Sequence, residues 1–67
     1  MKKKDLIKWL EERPALSPTQ IGKEAGYKKG QYFTRYLTTP GRMELNVPPV
    51  LWAKVLPVLI KYGMSYE

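Results

Sequence analysis

Proline and glycine constrain this chain more than any other feature of it. Pro14, Pro18, Gly26, Pro40-Gly41, Pro48-Pro49 and Gly63 leave only short stretches between them. A residue lacking an N–H, or lacking a Cβ, ends or begins a helix at such points. A chain so punctuated folds as short helices joined by turns. At 67 residues it is one domain, 1–67, and a chain of this size buries only roughly 60% of the surface it exposes when unfolded. A large enclosed active site is therefore excluded.

Between these marks the periodicity predicts four helices. Leu6, Ile7 and Leu10 gather on one face of a first helix over about 5 to 13, with Glu11 and Glu12 away from it. Asp5 in its first turn and Arg13 in its last have the signs the helix dipole favours, and Pro14 stops it. Ser17-Pro18-Thr19-Gln20 combines a preferred N-cap, a proline preorganised for the first helical position and a glutamine placed for a capping box. The second helix then runs over about 18 to 25, turns Ile21 and Ala25 inward and ends at Gly26. A third, about 28 to 38 and without a good cap, brings Phe33, Tyr36 and Leu37 to the core. Its opposite side collects Lys28, Gln31, Arg35 and Thr38, with Thr34 at one edge and Tyr32 at the other.

Residues 42 to 47 alternate polar and apolar, the pattern of a short extended strand, yet the chain supplies no obvious second strand. The segment either lays Met43, Leu45 and Val47 over the core or pairs with its copy in another subunit; covering the core is the expectation, since isolated strands need a partner. Pro48-Pro49 opens a last helix over about 49 to 62, whose apolar residues Leu51, Trp52, Val55, Leu56, Val58, Leu59, Ile60 and Tyr62 cover more than half its circumference. Lys54, Pro57 and Lys61 share the remaining side, so Pro57 faces solvent and bends the helix without breaking it. Met64 to Glu67 are too few for another substantial element. Trp9 and Trp52 sit on apolar faces and read as core aromatics.

Twelve Lys and Arg against six Asp and Glu give a formal charge of +6, so a partner held by long-range electrostatics is anionic. Nucleic acid leads, ahead of an acidic protein or a membrane surface. Without cysteine or histidine there is no disulfide, thiol nucleophile, imidazole base or usual zinc ligand. Scattered carboxylates and a Ser17 engaged as a cap leave no activated nucleophile or general base, so neither catalysis, a metal nor a cofactor is expected. No apolar run approaches the roughly 18 to 20 residues of a membrane span. Asp5, Lys8, Glu11 and Glu12 interrupt any signal-peptide core, and the expectation is a soluble cytoplasmic protein. Lys2, Lys3 and Lys4 read equally as an arm following phosphates or as a disordered solubilising tail.

Two helices joined by a glycine turn, the second with a basic outer face, form a helix-turn-helix pattern. The stretch Ser17-Pro-Thr-Gln-Ile-Gly-Lys-Glu-Ala-Gly26 resembles the first helix and turn of the phage-repressor (lambda repressor/Cro-like) helix-turn-helix family. Gly22 stands where that family has a small residue for close helix crossing, and Gly26 where it has the turn glycine. Residues 47 to 63 resemble the family's fourth helix and the glycine after it. Two departures stand out: the turn is one residue longer than usual, and the family's fifth helix, often used for dimerisation, has no counterpart in this sequence.

The resemblance implies a compact all-α, lambda repressor-like domain of four helices, lacking a full fifth helix, that binds double-stranded DNA sequence-specifically as a small transcriptional regulator of phage or bacterial type. The third helix would enter the major groove, where Arg35 can donate to guanine and Gln31 can bond adenine. Lys28, Lys29 and Arg42 would hold phosphates, Thr34 and Thr38 would flank them, and the N–H groups near Thr19 and Gln20 would meet a further phosphate. A weak homodimer through Trp52, Leu56 and Ile60 would replace the missing helix. The alternative class is a phage-type adaptor or inhibitor that holds an acidic protein surface with the same scaffold, favoured by the broad apolar surface of the last helix. A structural module of a larger assembly is the third reading.

Overall fold

The computed structural model describes residues 1–65 and contains four helices, with Tyr66 and Glu67 outside the described residues. The first, α1 (Lys3–Glu11), buries Leu6 and Leu10. Its end follows from Pro14, which disfavours helical Arg13. Arg13 instead turns back, donates to the Trp9 carbonyl at 3.1 Å and lies 4.1 Å from the Trp9 ring centroid. Trp9 is thus partly buried, packed against the core on one side and the guanidinium on the other.

In α2 (Pro18–Glu24) the Ser17 hydroxyl accepts from the Gln20 N–H at 3.4 Å, as its cap position requires. The helix closes at Gly26 (φ +103°), where the Gly26 N–H reaches the Lys23 carbonyl and the Tyr27 N–H the Gly22 carbonyl. These are the two bonds of a Schellman ending. The last helix, α4 (Pro49–Lys61), ends likewise: Gly63 (φ +104°) donates to Ile60 and Met64 to Leu59. This ending folds the Met64 side chain onto the core, where it is buried with Leu59. Pro57 lies on the exposed side and α4 continues through it.

The expected third helix starts later than its periodicity suggests: α3 is Gln31–Thr38, and residues 28–30 form a bend. The reason is steric. Gly30 presses against α2 so closely that a Cβ on it would stand 2.0 Å from the Thr19 carbonyl oxygen, and one on Gly22 would stand 2.6 Å from the Gly30 oxygen. Close backbone approach, and not a capping side chain, fixes where α3 begins. Beside this crossing the Thr19 and Thr34 hydroxyls bond each other at 2.9 Å. The core is completed by Ile21, Phe33, Val47, Leu51, Val55 and Val58.

Two expectations at the N-terminus and in 42 to 47 are corrected together. The lysine run is neither arm nor tail. Lys3 is 1% exposed, and its ammonium donates to the carbonyls of Thr39 (2.5 Å) and Gly41 (3.1 Å) while standing 5.0 Å from the Tyr36 ring centroid. Lys2 and Lys4 both pair with Glu44. The extended segment finds its partner in this same stretch: Lys3 N–H donates to Leu45, Lys4 N–H to Met43 and Val47 N–H to Met1, with Lys2 and Asn46 bridged antiparallel. Of its three apolar residues only Val47 reaches the core; Met43 and Leu45 are 41% and 60% exposed. A turn closed by Leu45 N–H on Arg42 O bends the chain out of strand geometry before Val47.

Glu24 ties α2 to the end of α4, accepting from Lys61 at 2.9 Å and from the Tyr62 hydroxyl at 2.5 Å. The Tyr62 hydrogen bond first, and the Lys61 one next, hold its carboxyl below the ordinary value of 4.5. Glu44 is lowered in the same way, chiefly by its hydrogen bond from Lys4. A carboxylate whose folded pKa is depressed adds stability above the unfolded value, and loses it as pH falls through the folded one. The melting temperature is therefore expected to fall as pH drops below about 4.5. Glu24→Gln should give a flatter acid limb in a melting series; an unchanged limb would remove Glu24 as a contributor. Among the described residues no helix is long and apolar enough to cross a membrane.

Candidate nucleic-acid interface

The surface formed by α2, the bend at 28–30 and the outer side of α3 gathers most of the residues singled out from the sequence. Lys28, Lys29, Gln31, Arg35, Thr38 and Arg42 are all exposed. Thr19, Lys23, Lys28, Lys29, Gly30 and Gln31 line a shallow cleft of about 320 Å³. A second, of about 170 Å³, shares Lys29 and Gln31 with it and is completed by Tyr32 and Arg35. The closeness of Gly30 to Thr19 is what brings the lysines of the bend beside Lys23.

The cations of this side are not paired internally with any described carboxylate. Among the described residues, Lys23, Lys28, Lys29, Arg35 and Arg42 have no carboxylate within ion-pair distance. The two acids nearest in sequence are engaged elsewhere, Glu24 by Lys61 and Glu44 by Lys2 and Lys4. Five cations therefore face solvent without internal neutralisation.

Other expected site residues make hydrogen bonds within the protein. The Thr34 hydroxyl is turned onto Thr19, so this pair joins α2 to α3. The Thr38 hydroxyl donates back to its own helix, to the Thr34 carbonyl at 3.0 Å. The Gln20 N–H is held by Ser17. Lys23 was not among the expected contacts; its position one turn after Thr19 on α2 was the available signal. Tyr32, placed at the edge of the face, stacks on Tyr27 with ring centroids 5.0 Å apart and planes 24° apart.

Arg42 departs from ordinary backbone geometry. Its φ is +60°, directly after Gly41 at +94°, and Lys3 holds the carbonyls on either side of Pro40. The left-handed region costs a non-glycine residue roughly 1–2 kcal/mol. Burial pushes the Tyr36 phenol up, and the nearby Arg42 charge opposes that shift. An exposed arginine held at positive φ motivates a test of its role. Arg42→Gly is expected to raise stability by about 1 kcal/mol and weaken polyanion binding; thermal melting and a binding titration check both, and a lowered melting temperature would remove the strain argument.

On α4 the expected dimer face divides. Trp52 and Leu56 are partly buried against the core, while Ile60 is 50% and Val50 71% exposed. The apolar arc is wide because α4 covers the bundle, and only part of it is left outside. Among the described residues no group of His, Cys, Asp or Glu could hold a metal ion. No family model, no curated protein and no solved structure matches the chain.

Proposed function

We propose that the chain is a helix-turn-helix protein of the lambda repressor-like kind that binds double-stranded DNA sequence-specifically as a small cytoplasmic regulator. The observation that carries this reading is the cationic side of α3 with no carboxylate pairing it. In this reading α3 lies in the major groove, Arg35 and Gln31 meet base edges, and Lys23, Lys28, Lys29 and Arg42 hold phosphates on either side. Thr19 and Thr34 set the angle at which α3 is presented and touch no base. Self-association uses the outward part of α4 at Ile60 and is weak in free solution.

The test is fluorescence anisotropy with duplex DNA across ionic strength. Each neutralised phosphate contributes roughly −0.9 to the slope of log affinity against log salt, so four or five contacts predict a loss of roughly 150- to 500-fold between 50 and 200 mM salt. Lys28→Ala should reduce that slope by about 1 for every sequence, whereas Arg35→Ala and Gln31→Ala should relax preference at single base positions in a binding-site selection. Sedimentation on a palindromic duplex, repeated for Ile60→Glu, reads the dimer. Absence of duplex binding at micromolar protein in low salt would overturn the DNA reading and favour the adaptor that holds an acidic protein surface.

A further inference from the structure

We propose that the smaller cleft, lined by Lys29, Gln31, Tyr32 and Arg35, is a binding site for an unpaired nucleobase of single-stranded nucleic acid, with the base stacked on Tyr32. Tyr32 is 59% exposed, one of the largest apolar surfaces left outside the core. It is not a loose side chain. Its ring lies on Tyr27, which is itself partly buried against the core and has the Lys54 ammonium 4.8 Å from its centroid. A ring already held in place loses little freedom when another ring stacks on it, so the platform is preorganised.

The surroundings select the ligand. Lys29 and Arg35 carry no carboxylate partner among the described residues, which disfavours a cation on the exposed ring and suits phosphates. The Gln31 amide offers one donor group and one acceptor for a base edge. The adjoining larger cleft adds Lys23 and Lys28, so a sugar-phosphate chain leaving the stacked base meets further positive charge. A base inside a duplex has both faces covered by its neighbours, and a ring platform can engage only a base with a free face. Such stacking does not require α3 to enter a duplex groove.

Anisotropy titrations with labelled oligodeoxythymidine, oligodeoxyadenosine, an abasic strand of equal length and a blunt duplex test it. Stacking of one base predicts that wild type binds the base-bearing strands about 5- to 150-fold more tightly than the abasic one. Tyr32→Ala should remove that difference by lowering the base-bearing strands to the abasic level, Tyr32→Phe should retain it, and Lys29→Ala should weaken both kinds of strand alike. Circular dichroism and melting of each variant confirm that the fold is kept, and Tyr32→Phe preserves the ring stack if Tyr32→Ala does not fold. Equal affinity of wild type for abasic and base-bearing strands would overturn the proposal, as would a preference that persists in a folded Tyr32→Ala. Duplex binding without base preference would refute this site and leave the regulator reading standing; base preference without duplex binding would do the reverse.

Discussion

Gly30→Ala is expected to destabilise the protein by about 3 kcal/mol or more, although alanine is the better helix former by roughly 1 kcal/mol. Gly30 has ordinary right-handed dihedrals (φ −56°, ψ −23°), so the backbone conformation itself would accept alanine. The obstacle is the Thr19 carbonyl oxygen, 2.0 Å from where the new Cβ would sit, and backbone cannot swing aside as a side-chain end can. A domain of this length has a total stability of roughly 3–10 kcal/mol, so the variant should be largely unfolded or should open the α2–α3 crossing. Gly22→Leu meets the Gly30 backbone from the other side and should lose roughly 1–3 kcal/mol. Urea denaturation reads both. A Gly30→Ala protein that melts at or above the wild-type temperature would mean that the helices do not cross there.

Lys3→Met should be nearly as damaging, by about 2–4 kcal/mol. Methionine keeps most of the apolar stem but removes the ammonium that donates to the Thr39 and Gly41 carbonyls, and a hydrogen bond from a charged group contributes about 1.5–3 kcal/mol. A cation there also suits the end of α3, where the helix dipole is negative. The loss should appear locally as faster amide exchange at position 3, Lys4 and Val47, whose N–H groups bond across the same junction. Wild-type exchange and an unchanged urea midpoint in Lys3→Met would show that the buried ammonium is dispensable. Weaker polyanion binding should accompany the instability, because Lys3 supports the turn that presents Arg42.

Much of this architecture can be read in the chain because its signals are local. The Ser17 cap, the glycine endings at 26 and 63 and the inward Phe33 each depend on residues within a turn or two. What escaped depends on distant partners. A lysine run next to a chain end resembles solvated charge, and nothing local indicates that Lys3 will meet two carbonyls and a ring from the far end of α3. The partner of the 43 to 47 segment could not be recognised either, since residues 1–4 are too few and too charged to resemble a strand. Gly22 was identifiable as a crossing residue, but Gly30, which faces it, reads as part of a helix until the approach to Thr19 is known. On the candidate interface the same division holds: helical periodicity places Gln31 and Arg35 outward, while the turning of Thr34 toward Thr19 follows from how α2 and α3 cross.

The staple at the N-terminus has a consequence in time. Its bonds join residues 36 to 46 apart in sequence, whereas the α2–α3 pair is local, and contacts that close long loops bear more chain entropy before they are rewarded. The helix pair can thus form early, with residues 1–4 clasping 39–47 afterwards. Contacts made after the rate-limiting step govern how fast a protein comes apart and leave its rate of assembly nearly unchanged. Lys3 therefore acts as a latch on lifetime: a chevron plot of Lys3→Met should shift on its unfolding limb, and the interval for which Arg42 and α3 stay in place is set by an ammonium on the first turn of α1.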